Sequence, residues 1–226
     1  MANRYIMKFS KKGYIKYTSH LDLIRNFKRG FKKTGIKLSY SHGYNPHPKM
    51  GFAQPLSLGY SSICEYIEFE TDESYDTKYI SQMMQREMPL GIDIIWCKDM
   101  PSNIKSLASD CVAASYDVTF DTDRDIDELK KCLEGYLAQK EIIANKRMKK
   151  TKTKEPVNIK DKIKHIDISV STDNNKILSM ALDSGSISNC SPELVIESFL
   201  SFANLNLERY KIDVLRKSIE FGNNLQ

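Results

Sequence analysis

Apolar residues recur along this chain with two periods, and the alternation between them predicts the elements. Residues 4–9 and 14–17 alternate as strands around a Lys12-Gly13 turn. Over residues 20–33 the period lengthens: Ile24, Phe27 and Phe31 fall at i, i+3 and i+7, one apolar stripe of a helix. Ser19 is placed to cap that helix with Asp22 three positions on, and Gly35 suits its exit. Strands are predicted at 36–41, around 52–56 and at 63–70, a helix at 77–88, and a strand at 92–97. The order strand, helix, strands, helix, strand is ferredoxin-like: an antiparallel sheet with helices on one face.

Residues 99–110 read as a connector, after which the order recurs. A strand at 112–120, a helix at 126–137 and a short strand at 142–146 lead to a hairpin of 163–171 with 177–183. A helix at 191–202 has Ser191 as its cap and Pro192 at its first position, and 212–221 closes the sheet. The expected architecture is α+β, with two ferredoxin-like (βαββαβ-type) halves. Residues 1–98 carry the Ser-His-Leu-Asp and Ser-His-Gly-Tyr-Asn-Pro-His-Pro-Lys motifs, and residues 110–226 contain a solvated basic loop at 146–156. The halves share no evident sequence identity, so the repeat is one of architecture.

Charge changes the picture more than composition does. The net charge of +5 conceals a segregation: residues 1–52 hold twelve Lys/Arg and one acid, Asp22, whereas 60–135 hold seventeen acids and seven cations. Such segregation speaks to partners. The predicted first helix gathers Arg25, Lys28, Arg29 and Lys32 at i, i+3, i+4 and i+7 into one stripe, with Lys49 following. Lys146, Arg147, Lys149 and Lys150 add a second basic run. Phosphate backbones favour such surfaces, because each neutralised phosphate releases condensed counterions. Tyr14, Tyr17, Tyr40, Tyr44 and Tyr60 are interleaved with the cations, and exposed rings of this kind can stack unpaired bases. Core packing accounts equally for several of them.

The segment 42–49 is the most unusual. Pro46 and Pro48 hold His47 in extended backbone, and Gly43 permits a tight turn, so His42, Gly43, Tyr44, Asn45 and His47 form a candidate recognition loop. His20 and His47 are candidates for general acid–base work, although Ser19-x-x-Asp22 is also a capping box at a helix N-terminus. His20, His42 and His47 match no zinc spacing, and five cysteines are scattered without a C-x-x-C pair, so no metal site is expected. Phosphate-binding glycine loops and the nucleophile elbow are missing from the sequence. The opening residues lack the apolar run of a secretion signal, and no stretch approaches the roughly 20 apolar residues of a membrane span. A cytoplasmic location is expected.

Ser19-His20-Leu21-Asp22, Arg29, the run Ser41 to Lys49, Pro55-Leu56 with Gly59, and Glu65 together resemble the radical-SAM-linked family, a bacterial domain of unknown function. The likeness is specific over roughly residues 4–70, and Pro192-Glu193 also fits; His42 stands where the family more often has glutamine. Members are encoded beside, or fused to, a cobalamin-binding radical SAM protein, often near ribosomal-protein and ribonuclease genes. The resemblance implies a partner carrying the iron–sulfur cluster, S-adenosylmethionine and cobalamin, with none of these cofactors in this chain. Scattered cysteines fit that division, since a cluster needs three or four convergent thiolates. RNA or a ribosome-related substrate is the expected target. Three roles follow: a noncatalytic RNA-binding accessory of a radical SAM enzyme, an RNA-processing or RNA-modifying enzyme using His20 or His47, or a protein–protein adaptor.

Overall fold

The computed structural model describes residues 3–101, 103–148 and 153–223. The chain divides into two compact units, Met1–Cys111 with Arg216–Gln226, and Val112–Leu215. Both mix helices with antiparallel strands, the α+β class that the two apolar periods predict.

The first unit runs β1 (Asn3–Lys11), α1 (His20–Thr34), β2 (Met50–Phe52), β3 (Ser61–Thr71), α2 (Thr77–Glu87) and β4 (Ile92–Asp99). Its strands lie in the order β4-β1-β3 with β2 on β3, every pair antiparallel, which is the ferredoxin-like arrangement. Period-2 alternation sends Tyr5, Met7 and Phe9 of β1 and Ile67 and Phe69 of β3 to one face. Leu23, Phe27 and Phe31 of α1 and Ile80 and Met84 of α2 cover that face, with Phe27 4.8 Å from Phe9 and Phe31 4.7 Å from Phe69. Each such ring or aliphatic group contributes about 1.5–3 kcal/mol by leaving water. Leu23, and not Ile24, completes the buried stripe, because Gly30 and Thr34 are buried too and centre the face on 23, 27, 30, 31 and 34. Ser19 caps α1 by accepting from the Asp22 amide at 3.2 Å, and Gly35 ends it at φ 76°.

Two predicted strands of this unit are absent. Residues 13–17 form a 3-10 turn, Gly13–Tyr17, closed by Thr18 N–H donating to the Ile15 carbonyl. Positive φ at Gly13 turns the chain after Lys11, before a second strand can begin. Residues 36–41 make only isolated bridges, Leu38 to Thr71 and Tyr40 to Pro48. The strand paired with β3 here is β2, with Met50 opposite Phe69 and Phe52 opposite Ile67.

Residues 99–110, read as a connector, contain one helical turn, α3 (Leu107–Asp110). The second unit then contains β5 (Cys111–Phe120), which begins at its boundary, α4 (Ile126–Ala138), β6 (Ile143–Arg147), β7 (Lys154–Asn158), β8 (Ile163–Val170), β9 (Lys176–Asp183) and α5 (Pro192–Phe202). Its sheet runs β5-β9-β8, antiparallel throughout, and β8–β9 is the expected hairpin, with Val170 opposite Lys176. Tyr136 of α4 packs on Phe199 of α5 and hydrogen-bonds Ser198 at 2.7 Å. Of the expected solvated loop at 146–156, residues 149–152 lie outside the described residues, and its flanks are paired: β6 and β7 form a two-stranded sheet, with Lys146 opposite Glu155. The paired flanks Lys146, Arg147, Lys154, Glu155 and Pro156 are exposed, which is why they carry few apolar residues. The sequence pattern assigns the last strand, β10 (Asp213–Phe221), to the second half, yet its residues from Arg216 onward group with the first unit. Among the described residues no helix is long and apolar enough to cross a membrane.

Candidate anion-binding face

Helical geometry places the cations of α1 opposite its buried stripe, and the surrounding acids decide which of them remain available. Arg25 meets Asp22 at 2.7 Å, one turn back. The Ser19 hydroxyl also donates to Asp22 at 2.7 Å, and Ser19 and Arg25 together hold that carboxyl below its usual range. The acids of the following segment take up other cations: Glu87 pairs with Lys33, Glu73 with Lys37, Glu70 with Lys49, and Glu68 and Glu70 with Arg4. Much of the N-terminal positive charge is therefore offset within this unit. Lys28, Arg29 and Lys32 are different. Among the described residues no carboxylate lies within ion-pairing distance of any of the three.

These three cations line a surface cleft of about 770 Å³. Phe31, Ile36 and Leu38 supply apolar lining, Tyr40 and Pro48 come from the neck of the proline loop, and Asp72 follows β3. The neck is fixed by backbone bonds: Ser41 N–H donates to His47 carbonyl at 2.8 Å, and Lys49 N–H to Ser39 carbonyl at 2.8 Å. His47 N–H donates in turn to the Ser41 hydroxyl at 3.0 Å. Pro46 and Pro48 lie within this closure and fix their own φ there. Its tip is exposed at His42, Gly43, Tyr44, Asn45 and His47, with Tyr44 fully exposed and Gly43 at φ 133°.

The candidate acid–base residues sit apart from each other chemically. His47 is exposed and tied down through its backbone. His20 is half-buried at the start of α1, with its ring edge-on to Phe52 at 5.3 Å. Burial pushes its pKa down, the nearby Glu65 pulls it up, and Lys11 pushes it down again, so the neutral imidazole is favoured. Among the described residues no group of three or more His, Cys, Asp or Glu side chains is placed to share a metal ion. The five cysteines are free thiols, and burial raises Cys64 and Cys190 to about 11 and Cys97 and Cys111 to about 12.

Beneath His20 lies a polar cluster that sequence reasoning did not assemble. Glu65 and Arg216 are each about 3 % exposed and meet at 3.1 Å. Arg216 also donates to the carbonyls of Gln54 at 3.0 Å and Pro55 at 3.1 Å. Lys11, 1 % exposed, donates to the Thr18 carbonyl at 2.9 Å, and burial lowers its pKa against the pull of Glu65. A signal for these was present: Lys11 shares the parity of Phe9 and Met7, and Glu65 that of Ile67 and Phe69, so both face inward. Arg216 shares the parity of Ile212 and Val214, but nothing local shows that its partner lies 151 positions away at Glu65.

In the second unit Lys146 and Arg147 are exposed on β6, with Arg147 opposite Lys154. Lys149 and Lys150, the other members of that basic run, lie outside the described residues.

Residues 4–192 match a family model described as "Uncharacterized protein conserved in bacteria (DUF2344)". No curated protein matches the sequence. Among solved structures, a chain of the crystal structure of a Cbf5-Nop10-Gar1 complex is similar in fold, with a TM-score of 0.51 at 8% identity. The match covers 95% of this chain and 48% of that one, so this chain spans about half of its length, and the likeness is of fold alone.

Proposed function

This chain belongs to the DUF2344 family of uncharacterized proteins conserved in bacteria, and we propose that it binds RNA through the cations of α1. The observation that carries this reading is the contrast among those cations. Neighbouring basic residues are neutralised by Asp22, Glu68, Glu70, Glu73 and Glu87, whereas Lys28, Arg29 and Lys32 line a cleft with no carboxylate paired to them among the described residues. Like charges held together without counter-charge cost stability unless a ligand uses them. A phosphate backbone is the ligand chemistry that matches, since several phosphates neutralise several cations at once. Lys146 and Arg147 add long-range attraction, and Lys49, partly offset by Glu70, contributes less.

The role is that of an accessory and not of a catalyst: the chain holds RNA or a ribosome-related substrate for a radical SAM protein, following the resemblance carried by residues 19–22 and 41–49. The iron–sulfur cluster, S-adenosylmethionine and cobalamin would then reside on that partner. Burial of four thiols, which keeps them protonated near neutral pH, supports this division.

The test is charge reversal at α1. Arg29→Glu with Lys32→Glu is expected to weaken RNA binding and to flatten its dependence on salt. The log–log slope should fall by roughly 0.7 for each phosphate of a single strand that the variant no longer neutralises. Unchanged affinity and slope would remove the stripe from the account. Loss of binding to an acidic radical SAM partner, with RNA affinity unchanged, would instead favour the adaptor role.

A further inference from the structure

The α1 cleft offers more than charge. Lys28, Arg29 and Lys32 contribute the cations, Leu38 and Ile36 an apolar surface, and Tyr40 an aromatic ring that is half exposed. Among the described residues that ring has no aromatic or cationic partner, unlike Tyr66, which meets Trp96, Phe221 and Lys8. Its backbone is nonetheless held, through the bridge to Pro48 and the bonds that close the neck at Ser39, Ser41, His47 and Lys49. A fixed backbone with an uncommitted ring is a suitable stacking platform, because little backbone freedom is lost when a base settles on it. Asp72 completes the lining. Its Oδ1 accepts from the Ser39 hydroxyl at 2.7 Å, and among the described residues its other oxygen has no side-chain donor.

Resting on the RNA reading above, we infer that this cleft takes an unpaired nucleotide, so that the RNA bound is single-stranded at this point. The volume of about 770 Å³ falls within the roughly 300–1,000 Å³ of small-ligand sites and admits a nucleotide. Charge orients it. The phosphate goes to Lys28, Arg29 and Lys32 and away from the Asp72 carboxylate, which repels it. The base lies against Tyr40 and Leu38, and a ribose hydroxyl or exocyclic amino group donates to Asp72. A duplex can bring its phosphates to α1, but its bases are paired and stacked and cannot enter a cleft lined by Tyr40. The site therefore discriminates by strandedness, with only modest preference for sequence, as stacking on a single ring allows.

The experiment compares a labelled single-stranded oligoribonucleotide with the duplex formed from it, by fluorescence anisotropy on the full chain. Wild-type protein is expected to prefer the single strand. Tyr40→Ala should weaken single-strand binding roughly 5- to 100-fold and leave duplex binding unchanged, while Tyr40→Phe retains the wild-type preference. Since Tyr40 is half exposed and outside the core, both variants are expected to fold, which far-ultraviolet circular dichroism checks. If Tyr40→Ala leaves single-strand affinity unchanged while Arg29→Glu with Lys32→Glu abolishes it, the nucleotide cleft is refuted and the basic face stands. Equal weakening of both RNAs by Tyr40→Ala refutes the cleft as well. If neither RNA binds wild-type protein, both readings fall.

Discussion

Arg216 illustrates how far a single side chain can act from its place in the sequence. It neutralises Glu65, a carboxylate in the apolar face of β3, and satisfies the carbonyls of Gln54 and Pro55 that lead into that strand. Desolvating both ions is costly, and removing one partner leaves the other buried and uncompensated. Arg216→Leu is expected to destabilise the chain by about 3–5 kcal/mol, read as a lower urea midpoint; a variant as stable as wild type would mean that Glu65 is not held by this pair. His20 offers a milder test. Its pKa is lowered in the folded state, so below its unfolded value near 6.5 the unfolded chain binds the extra proton first. Stability should therefore fall as pH drops from about 6.5 toward the folded pKa, with no contribution from His20 to the slope well above about 6.5. His20→Gln should remove that slope from the pH profile of thermal unfolding. Residues such as Lys11 and Glu65 were half legible: strand parity shows that they point inward, but not what neutralises them, because the partner is contributed by the far end of the chain.

At the scale of elements, the helices were read more reliably than the strands. Caps act locally: Ser19 on Asp22, Asp76 on Tyr79 and Asp125 on Asp127 each mark a start in the sequence itself. Strand pairing is not local. Residues 36–41 alternate as well as residues 50–52 do, yet the latter pair continuously with β3. Likewise β7 lacked the apolar alternation that reveals a strand, since its side chains are exposed apart from the half-buried Val157, whereas its partner β6 was legible at 142–146. The turn before β4 has a stricter requirement. Gly91 adopts φ 95°, its carbonyl accepts from Lys12 N–H at 2.8 Å, and a Cβ there would stand 2.3 Å from the Lys12 carbonyl oxygen. That neighbour is backbone and cannot swing aside. Gly91→Ala is thus expected to cost about 1–3 kcal/mol, measurable in urea. Gly35→Ala, with open space around its Cβ, should cost less; equal costs would mean that positive φ and not the clash sets the penalty.

Across the whole molecule, charge segregation was the clearest feature of the sequence, and the structure divides its meaning. The acids that follow the basic N-terminal stretch are partly its internal counter-charges, through Glu68, Glu70, Glu73 and Glu87. On α1 a smaller and more specific set, Lys28, Arg29 and Lys32, is gathered on one cleft without such a partner among the described residues. Composition could not separate the two, because it counts cations without showing which have partners. Nor could local pattern show that residues 216–221 group with the first unit. The measurement that tests the central claim most directly is binding of the purified chain to bacterial RNA, titrated at low and at physiological salt with double-stranded DNA as competitor. The account predicts saturable binding that weakens with salt, survives at physiological strength and resists the DNA. Binding that vanishes at physiological salt, or that DNA displaces as readily as RNA does, would contradict it.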